Sequence, residues 1–269
     1  MGTTRSADGT TIAFDALGAG QPLIMVDGAT AHRAVNPHAS GTARLLADRF
    51  RTYSYDRRGR GESTDTQPYD TKRELEDLAA LIADAGGGDA IVCGVSSGAV
   101  LALDAAAAGL PIARLALFEP PFVVNDARPP APRDYVERLD RSVAEGRRGD
   151  AVELFMTGAV GLPQEAVDGM REMPFWSGLE EIAHTIAYDG RFMEGTMFGE
   201  PLPTDRWSSV TIPTLVLYSK GSDQWLADAA AAAVAVLPNA TLRAVEGGQH
   251  DVEPEVLAAV LRDFASCPS

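Results

Sequence analysis

Cysteine and long hydrophobic runs are both scarce in this chain of 269 residues. The two cysteines are Cys93, inside an apolar run, and Cys267, near the end, so no disulfide framework is expected. No apolar run approaches the roughly 20 residues of a membrane span. The polar start "MGTTRSADGT" also lacks the apolar centre of a secretory signal. We therefore expect a cytoplasmic protein with no membrane partner.

Positive charge is also in short supply. Lysine and arginine number 23, only Lys72 and Lys220 being lysines, against 38 acidic residues, and the formal net charge is −15. Nucleic acids and anionic membranes both require local positive surface, so neither is an expected partner. The histidines are scattered, the two cysteines are not clustered, and no G-x-G-x-x-G follows a strand pattern. We therefore expect no metal and no other cofactor.

The first part of the chain alternates between strand and helix patterns. The predicted strands are 11–17, 22–28, 51–56, 89–95 and 112–120, and the predicted helices are 41–50, 73–85 and 97–109. This alternation indicates an α/β fold, with a mostly parallel sheet covered by helices on both faces. The nearly continuous apolar runs "AIVCGV" and "LALF" are typical of strands buried on both sides.

From residue 121 to 207 the spacing of apolar residues is helical, and no convincing strand is found. The earlier alternation resumes with strands at 212–219 and 240–247 and ends with a helix at 254–265. We therefore predict a core formed by residues 1–120 and 208–269. A helical insert at 121–207 interrupts it and is a candidate cap or lid.

The segment "CGVSSGAV" contains a candidate nucleophile. Gly94-Val95-Ser96-Ser97-Gly98 matches G-x-S-x-G with Ser96 at the centre, whereas Ser97 has Val95 where a glycine is required. The pattern alone is weak, but a buried-type strand runs directly into it and a helix runs directly out. Small flanking residues relieve crowding at such a turn, and the helix N-terminus favours developing negative charge. We therefore interpret Ser96 as a nucleophile rather than a helix cap.

A serine hydroxyl needs a base that is itself held by an acid. The chain has four histidines: His32, His38, His184 and His250. His250, in "VEGGQHDVEPE", lies between the last predicted strand and the last helix. In a parallel sheet this loop opens at the carboxyl ends of the strands, the same edge as the serine turn. We therefore expect His250 to be the base.

Three segments resemble the α/β-hydrolase superfamily: "CGVSSGA", "YDRRGRGES" and "GGQHD". The order serine, acid, histidine agrees with it, and the resemblance covers nearly the whole chain. It implies a doubly wound, mostly parallel sheet of the eight-stranded type, with a cap where the helical insert falls. "YDRRGRGES" resembles the family's D-x-R-G-x-G-x-S segment, so the resemblance implies structural roles for Asp56 and Arg58.

The resemblance also places an oxyanion hole after the third strand, usually in a His-Gly-x segment. In "MVDGAT" the glycine is Gly28, but Asp27 replaces the histidine. Backbone donors act in such a hole, so the N–H groups of Ala29 and Ser97 are the expected donors. A carboxylate at Asp27 would oppose an oxyanion unless it is turned away or paired.

Two carboxylates are candidates for the acid, because the family places it after either of two strands. Asp223, in "YSKGSDQW", occupies the commoner place, although the usual Gly-x-x-Asp pattern is not cleanly met. Glu119, in "LALFEPP", ends the preceding strand, and a carboxylate at this edge needs a partner such as His250. We favour Glu119 and keep Asp223 as the alternative. Asp251 ranks third, since adjacent side chains in a loop usually diverge.

A nucleophilic serine indicates acyl transfer, such as hydrolysis of an ester, thioester or lactone of a small to medium hydrophobic molecule. The aromatic and methionine residues of the insert could line an apolar pocket. They are Phe175, Trp176, Phe192, Met193, Met197 and Phe198. Of these, Trp176 and Met193 are candidate substrate contacts, together with Gly28 of the core.

Two other functions remain open. One is a non-hydrolytic ligand-binding protein on the same fold, for which Asp27 is the best support. The other is a biosynthetic acyl transferase or cyclase that excludes water. Either a monomer or a homodimer is compatible with the sequence.

Overall fold

One sheet organises the computed structural model, which describes residues 1–266 and contains eight strands in that range. The strands are β1 (Gly2–Arg5), β2 (Thr11–Leu17), β3 (Gln21–Val26), β4 (Phe50–Tyr55), β5 (Ala90–Val95), β6 (Ile112–Phe118), β7 (Thr214–Ser219) and β8 (Ala240–Val245). Their order in the sheet is β1-β2-β4-β3-β5-β6-β7-β8. The strands β3 to β8 pair in parallel, while β1 and β2 form an antiparallel edge. The predicted α/β fold class is confirmed.

Helices connect the strands and cover both faces. Those outside the β6–β7 connection are α1 (Pro37–Leu46), α2 (Thr71–Asp84), α3 (Ser97–Ala107), α9 (Gln224–Val236) and α10 (Pro254–Ser266). Those within it are α4 (Tyr135–Ala144), α5 (Arg148–Leu154), α6 (Gln164–Arg171), α7 (Trp176–Glu181) and α8 (Ile186–Phe192). A π-helical turn, Phe155–Val160, continues α5 directly, and a 3₁₀ turn, Ala183–Thr185, precedes α8. Below, "the insert" means the chain between β6 and β7.

The alternation of side chains along the central strands divides the core in two. On β5, Ile91 and Cys93 face the cluster that α1 and α10 cover, whereas Ala90 and Val92 face the cluster on the side of α2, α3 and α9. All four side chains are buried. Because successive residues of a strand point to opposite faces, a strand covered on both sides must be apolar throughout. The reading of "AIVCGV" as such a strand is confirmed.

The structure departs most from the predicted elements at β1 and α1. The strand β1 was not predicted, because "GTTR" is short and polar and forms the edge of the sheet with alternately exposed residues. Helix α1 begins at Pro37, four residues before the predicted start. The Asn36 side chain accepts hydrogen bonds from the N–H groups of His38 and Ala39, and Pro37 has no N–H to satisfy.

Within residues 1–266, no helix combines the length and apolar character needed to cross a membrane. The thiol of Cys93 is free and buried on β5, where burial raises its pKa to about 12. Cys267 lies outside the described residues.

The last part of the insert is fixed to helix α3. The indole Nε1 of Trp207 donates to Oδ1 of Asp104 at 2.7 Å, and Arg206 donates to Oδ2 of the same carboxylate at 2.8 Å. The Trp207 ring is 1% exposed and lies 5.4 Å from the Phe122 ring, at the start of the insert. Packing and hydrogen bonds therefore hold both ends of the insert on this face.

Substitution of Trp207 by alanine should lower the free energy of unfolding by about 3–5 kcal/mol, since it leaves a cavity and strips Asp104 of a donor. Phe175 is 47% exposed and serves as the control: Phe175→Ala should cost less than about 1 kcal/mol. Urea titration of the two variants measures both values. Similar losses in the two would show that Trp207 packing does not hold the insert.

Candidate active site

Ser96 occupies a sharp turn between β5 and α3. Its backbone has φ +56° and ψ −128°, a left-handed region that residues other than glycine adopt at a cost. Its N–H donates to the carbonyl of Phe118, at the end of β6, at 2.9 Å. The backbone hydrogen bond and the two flanking elements therefore hold the strained conformation and place Ser96 at the carboxyl edge of the sheet.

Three glycines make room for this turn. A Cβ at Gly94 would lie 2.5 Å from Cα of Ala99, and one at Gly98 would lie 2.4 Å from the carbonyl oxygen of Val26. A Cβ at Gly28 would lie 2.8 Å from Cβ of the turn serine. These distances are shorter than non-bonded contacts allow. The chain around Ser96 therefore has no room for a side chain at Gly28, Gly94 or Gly98.

The structure pairs His250 with Glu119. Nδ1 of His250 lies 2.7 Å from Oε2 of Glu119, and Oε1 of Glu119 accepts the N–H of Ser219 at 2.7 Å. Glu119 is fully buried, so these contacts take the place of water at both carboxylate oxygens. Because a carboxylate accepts, the pair places the imidazole proton on Nδ1 and leaves Nε2 as an acceptor.

The other two acidic candidates have different partners. Asp223 is exposed, and its Oδ2 accepts Nε2 of Gln249 at 3.1 Å. Oδ1 of Asp251 lies 3.4 Å from Nδ1 of His38. Glu119 reaches the imidazole because its own backbone has φ +45°, which turns the chain at the end of β6. Asp223 instead lies at the start of α9, where it lines the cavity described next.

A cavity of about 650 Å³ lies between the sheet edge and the insert. Six of the predicted site residues on the core line it: Gly28, Ala29, Ser96, Ser97, Asp223 and His250. The insert contributes mostly apolar side chains: Tyr135, Phe155, Val160, Leu162, Met193 and Met197. Among the described residues, no lysine or arginine lines the cavity, and the acidic groups are Asp189 and Asp223.

Trp176, a candidate substrate contact, is not among the residues that line the cavity. Nε1 of Trp176 donates to Glu180 at 3.2 Å, and the Arg171 guanidinium stacks on its ring at 5.6 Å, so it packs within the insert. Of the six insert residues considered from the sequence, only Met193 and Met197 reach the cavity. Phe155 and Val160, which the sequence did not single out, belong to the π-helical turn. Such turns are often found at functional sites, but the sequence gives no signal for them.

Asp27 is buried beside the segment that contains Gly28. Nδ2 of Asn36 donates to its Oδ1 at 2.8 Å. Burial raises the pKa of Asp27 to about 6, although the Asn36 hydrogen bond and the charges of Arg60 and Arg57 act in the opposite direction. The carboxylate is therefore paired with an amide, which is one of the two arrangements under which it would not oppose an oxyanion.

Asp189, on α8, was not identified from the sequence. Its Oδ1 accepts Oγ of Ser97 at 2.7 Å and Nη1 of Arg57 at 2.6 Å, and its Oδ2 pairs with Arg60. Burial alone would raise the pKa of Asp189, but the two guanidinium charges outweigh it and lower the pKa. Glu74 makes two hydrogen bonds to Arg57, so the buried charges balance.

Asp56 and Arg58, for which the resemblance implies structural roles, lie outside the cavity. Asp56 accepts the backbone N–H groups of Arg33 and Glu62 at 2.8 and 2.9 Å. Arg58 donates to both oxygens of Asp77 at 2.8 and 2.7 Å. Both residues therefore hold the loop after β4.

Among residues 1–266, no three side chains of histidine, cysteine, aspartate or glutamate lie close enough together to hold a metal ion.

Residues 28–260 match the alpha/beta hydrolase family, a range that includes Ser96, Glu119 and His250. The chain belongs to this family and is a hydrolase. Among solved structures, an alpha/beta hydrolase from Sphaerobacter thermophilus DSM 20745 is 48% identical. The alignment covers 98% of this chain and 100% of that one, with a TM-score of 0.88.

Two more distant structures share the fold of this hydrolase. A thermophilic esterase from Thermogutta terrifontis, with malate bound, is 22% identical over 98% of this chain and 97% of that one, with a TM-score of 0.70. The enol-lactonase from Burkholderia xenovorans LB400 is 16% identical over 98% and 100%, with a TM-score of 0.68. None of the curated proteins matches the chain significantly.

Ionisation of Asp27 should destabilise this hydrolase, because its pKa rises from the usual 3.8 to about 6 on folding. The folded state holds the proton more tightly than the unfolded chain, so the stability from this group is present below pH 4 and is lost as the pH rises to 6. Asp27→Asn keeps an oxygen to accept from Asn36 and cannot ionise. Relative to wild type, it should gain up to about 3 kcal/mol between pH 4 and 7.

Urea unfolding of both proteins at pH 4.5 and 7.5 measures this gain. Asp77, whose pKa burial also raises to about 6, is present in both proteins, so its effect cancels in the comparison. A difference in stability that does not change with pH would contradict the prediction.

Proposed function

We propose that this hydrolase is a serine hydrolase that cleaves esters, thioesters or lactones of small to medium hydrophobic molecules through an acyl-enzyme on Ser96. The observation that carries the proposal is the 2.7 Å pair between His250 and the fully buried Glu119, in a cavity that Ser96 also lines. A histidine held in one tautomer by a buried acid, close to a strained serine turn, is the arrangement that activates a serine hydroxyl.

In the proposed mechanism, Oγ of Ser96 attacks the carbonyl carbon while Nε2 of His250 takes its proton. Glu119 holds the Nδ1 proton and stabilises the imidazolium without itself being protonated. The N–H groups of Ala29 and Ser97 receive the oxyanion. Collapse of the tetrahedral intermediate expels the alcohol or thiol, to which His250 returns the proton. Water, deprotonated in turn by His250, then releases the acid and free Ser96.

The walls of the cavity support an uncharged, hydrophobic substrate. A volume of about 650 Å³ is within the range of about 300–1,000 Å³ that ligand sites occupy. With acidic side chains and no lysine or arginine among its described lining residues, the cavity offers no partner for an anionic acyl group. We propose that residues 121–207 act as a cap that encloses this substrate.

Asp27 was the main support for a binding protein without hydrolytic activity. The hydrogen bond from Asn36 weakens that support, because it gives the carboxylate beside the oxyanion segment a partner. The esterase and lactonase structures that share this fold are consistent with hydrolysis of esters and lactones. A panel of p-nitrophenyl esters of increasing acyl length would define the substrate range.

A fluorophosphonate probe should label the wild-type protein at Ser96 and leave Ser96→Ala unlabelled. Ser97→Ala is the matched control, because the variant keeps the Ser96 hydroxyl that the probe modifies and should still be labelled. Mass spectrometry of the labelled peptide reads the site. Folded wild-type protein that resists the probe would contradict the proposal.

Replacement of Glu119 by glutamine should lower kcat for an ester substrate by about 10⁴-fold, because a neutral amide no longer fixes the tautomer or stabilises the imidazolium. Asp223→Asn should change kcat by less than about fivefold, since Asp223 pairs with Gln249 rather than His250. Thermal unfolding establishes that both variants are folded. If Asp223→Asn loses the larger factor, Glu119 is not the acid.

A further inference from the structure

Arg60 links the segment after β3 to the insert. Its Nη1 donates to the carbonyl oxygen of Gly28 at 2.6 Å, and its Nε donates to Oγ1 of Thr185 at 3.1 Å. Its Nη2 pairs with Asp189. The residue is 1% exposed, so all of these contacts are made away from solvent. Arg60 occupies a variable position of the D-x-R-G-x-G-x-S segment, whose own arginine is Arg58.

The Gly28 carbonyl belongs to the same peptide group as the N–H of Ala29. Because a peptide group is planar, the direction of its C=O fixes the direction of its N–H. Gly28 must remain a glycine beside Ser96, and glycine leaves the backbone free to rotate. A charged donor on the carbonyl removes that freedom. It also polarises the peptide group, which makes its N–H a stronger donor.

Asp189 connects this anchor to the second expected donor. Its Oδ1 accepts the hydroxyl of Ser97 at 2.7 Å, and its Oδ2 pairs with the guanidinium of Arg60. One carboxylate on α8 therefore touches Ser97 directly and reaches the Gly28–Ala29 peptide through Arg60. Since Arg57 also pairs with Asp189 at 2.6 Å, the carboxylate presents no unbalanced negative charge to a developing oxyanion.

We propose that Arg60 and Asp189 are positioning residues for the oxyanion hole, through which the docked insert orients the donors of Ala29 and Ser97. The inference rests on the proposed serine mechanism. It gives the insert a second role besides enclosing substrate: an insert that moves away from the sheet edge carries Asp189 with it and releases both donors. Catalytic competence and closure of the cavity are therefore coupled through one carboxylate.

The test compares three variants of the full chain. Arg60→Lys keeps the charge but cannot hold Gly28 and Asp189 in the same fork geometry. Asp189→Asn keeps the shape and loses the charge, and Ser97→Ala removes only the hydroxyl contact. Asp104→Asn is the matched control, because Asp104 also ties the insert to the core, through Arg206 and Trp207, but has no contact with Gly28 or Ser97.

We expect kcat for a p-nitrophenyl ester to fall about 10- to 100-fold in Arg60→Lys and Asp189→Asn, with KM within about threefold of wild type. Binding of a trifluoromethyl ketone, which forms a tetrahedral oxyanion on the serine, should weaken by the same factor. Binding of the alcohol that corresponds to this ketone, which cannot form an oxyanion on the serine, should not change. Ser97→Ala should show a smaller loss, about three- to tenfold, in the same two quantities.

Three results would overturn the inference: unchanged kcat in the folded variants, an equal loss in Asp104→Asn, or an equal weakening of alcohol binding. If Arg60→Lys and Asp189→Asn do not fold, Ser97→Ala decides, and an unchanged kcat and ketone affinity in that variant rejects the inference. Failure of the proposed function would look different, because wild-type Ser96 would then not react with a fluorophosphonate at all.

Discussion

Close approach of backbone segments around Ser96 is the constraint from which the rest of the site follows. The left-handed conformation of Ser96 requires β5 and α3 to meet at a turn that admits no side chain at Gly94 or Gly98. The same crowding extends to the segment after β3, where Gly28 touches the serine side chain. Because the turn lies at the carboxyl edge of the sheet, the loops after β6 and β8, which open at the same edge, reach it as well. Those loops carry Glu119 and His250.

At this edge of the sheet, the buried carboxylates of Glu119 and Asp189 have partners for both of their oxygens. The oxygens of Glu119 contact an imidazole and a backbone N–H, and those of Asp189 contact two guanidinium groups and a hydroxyl. A buried carboxylate without such partners would be costly, and removal of one partner leaves the other uncompensated. Asp27 differs from Asp189, since burial raises the pKa of Asp27 to about 6 whereas the guanidinium charges beside Asp189 lower its pKa. Apolar side chains of the insert and of the core also belong to one continuous hydrophobic cluster.

Local sequence patterns were enough to predict the succession of strands, helices and candidate site residues along the chain. They could not predict the contacts that depend on distant residues. Ser96 and His250 could be singled out as candidates because a glycine pattern and a loop position mark them. The partner of His250 could only be narrowed to Glu119 or Asp223, because both follow strands at the same edge. In the structure Glu119 lies 2.7 Å from Nδ1 of His250, whereas Asp223 contacts Gln249. Asp189 gave no signal, since an aspartate in a helical pattern is normally solvated.

Side-chain direction within the insert was the least predictable feature. Trp176 and Met193 both lie in helical segments, yet only Met193 reaches the cavity. The spacing of apolar residues shows which face of a helix is buried, but it does not distinguish burial against a neighbouring helix from burial against an internal space. In α8 nearly every residue is buried, so its pattern fits either surface.

The π-helical turn at Phe155–Val160 gives the cavity wall a means of variation that leaves the reacting groups untouched. A π-helical turn contains one residue more than an α-helical turn. Each residue along a helix corresponds to a rotation of about 100°. Loss of that one residue would turn Phe155, Ala159 and Val160 relative to the space they now enclose, while the sheet and its loops stayed in place. Single-residue insertion and deletion at this turn is therefore a route by which relatives of this protein can diverge in what they accept.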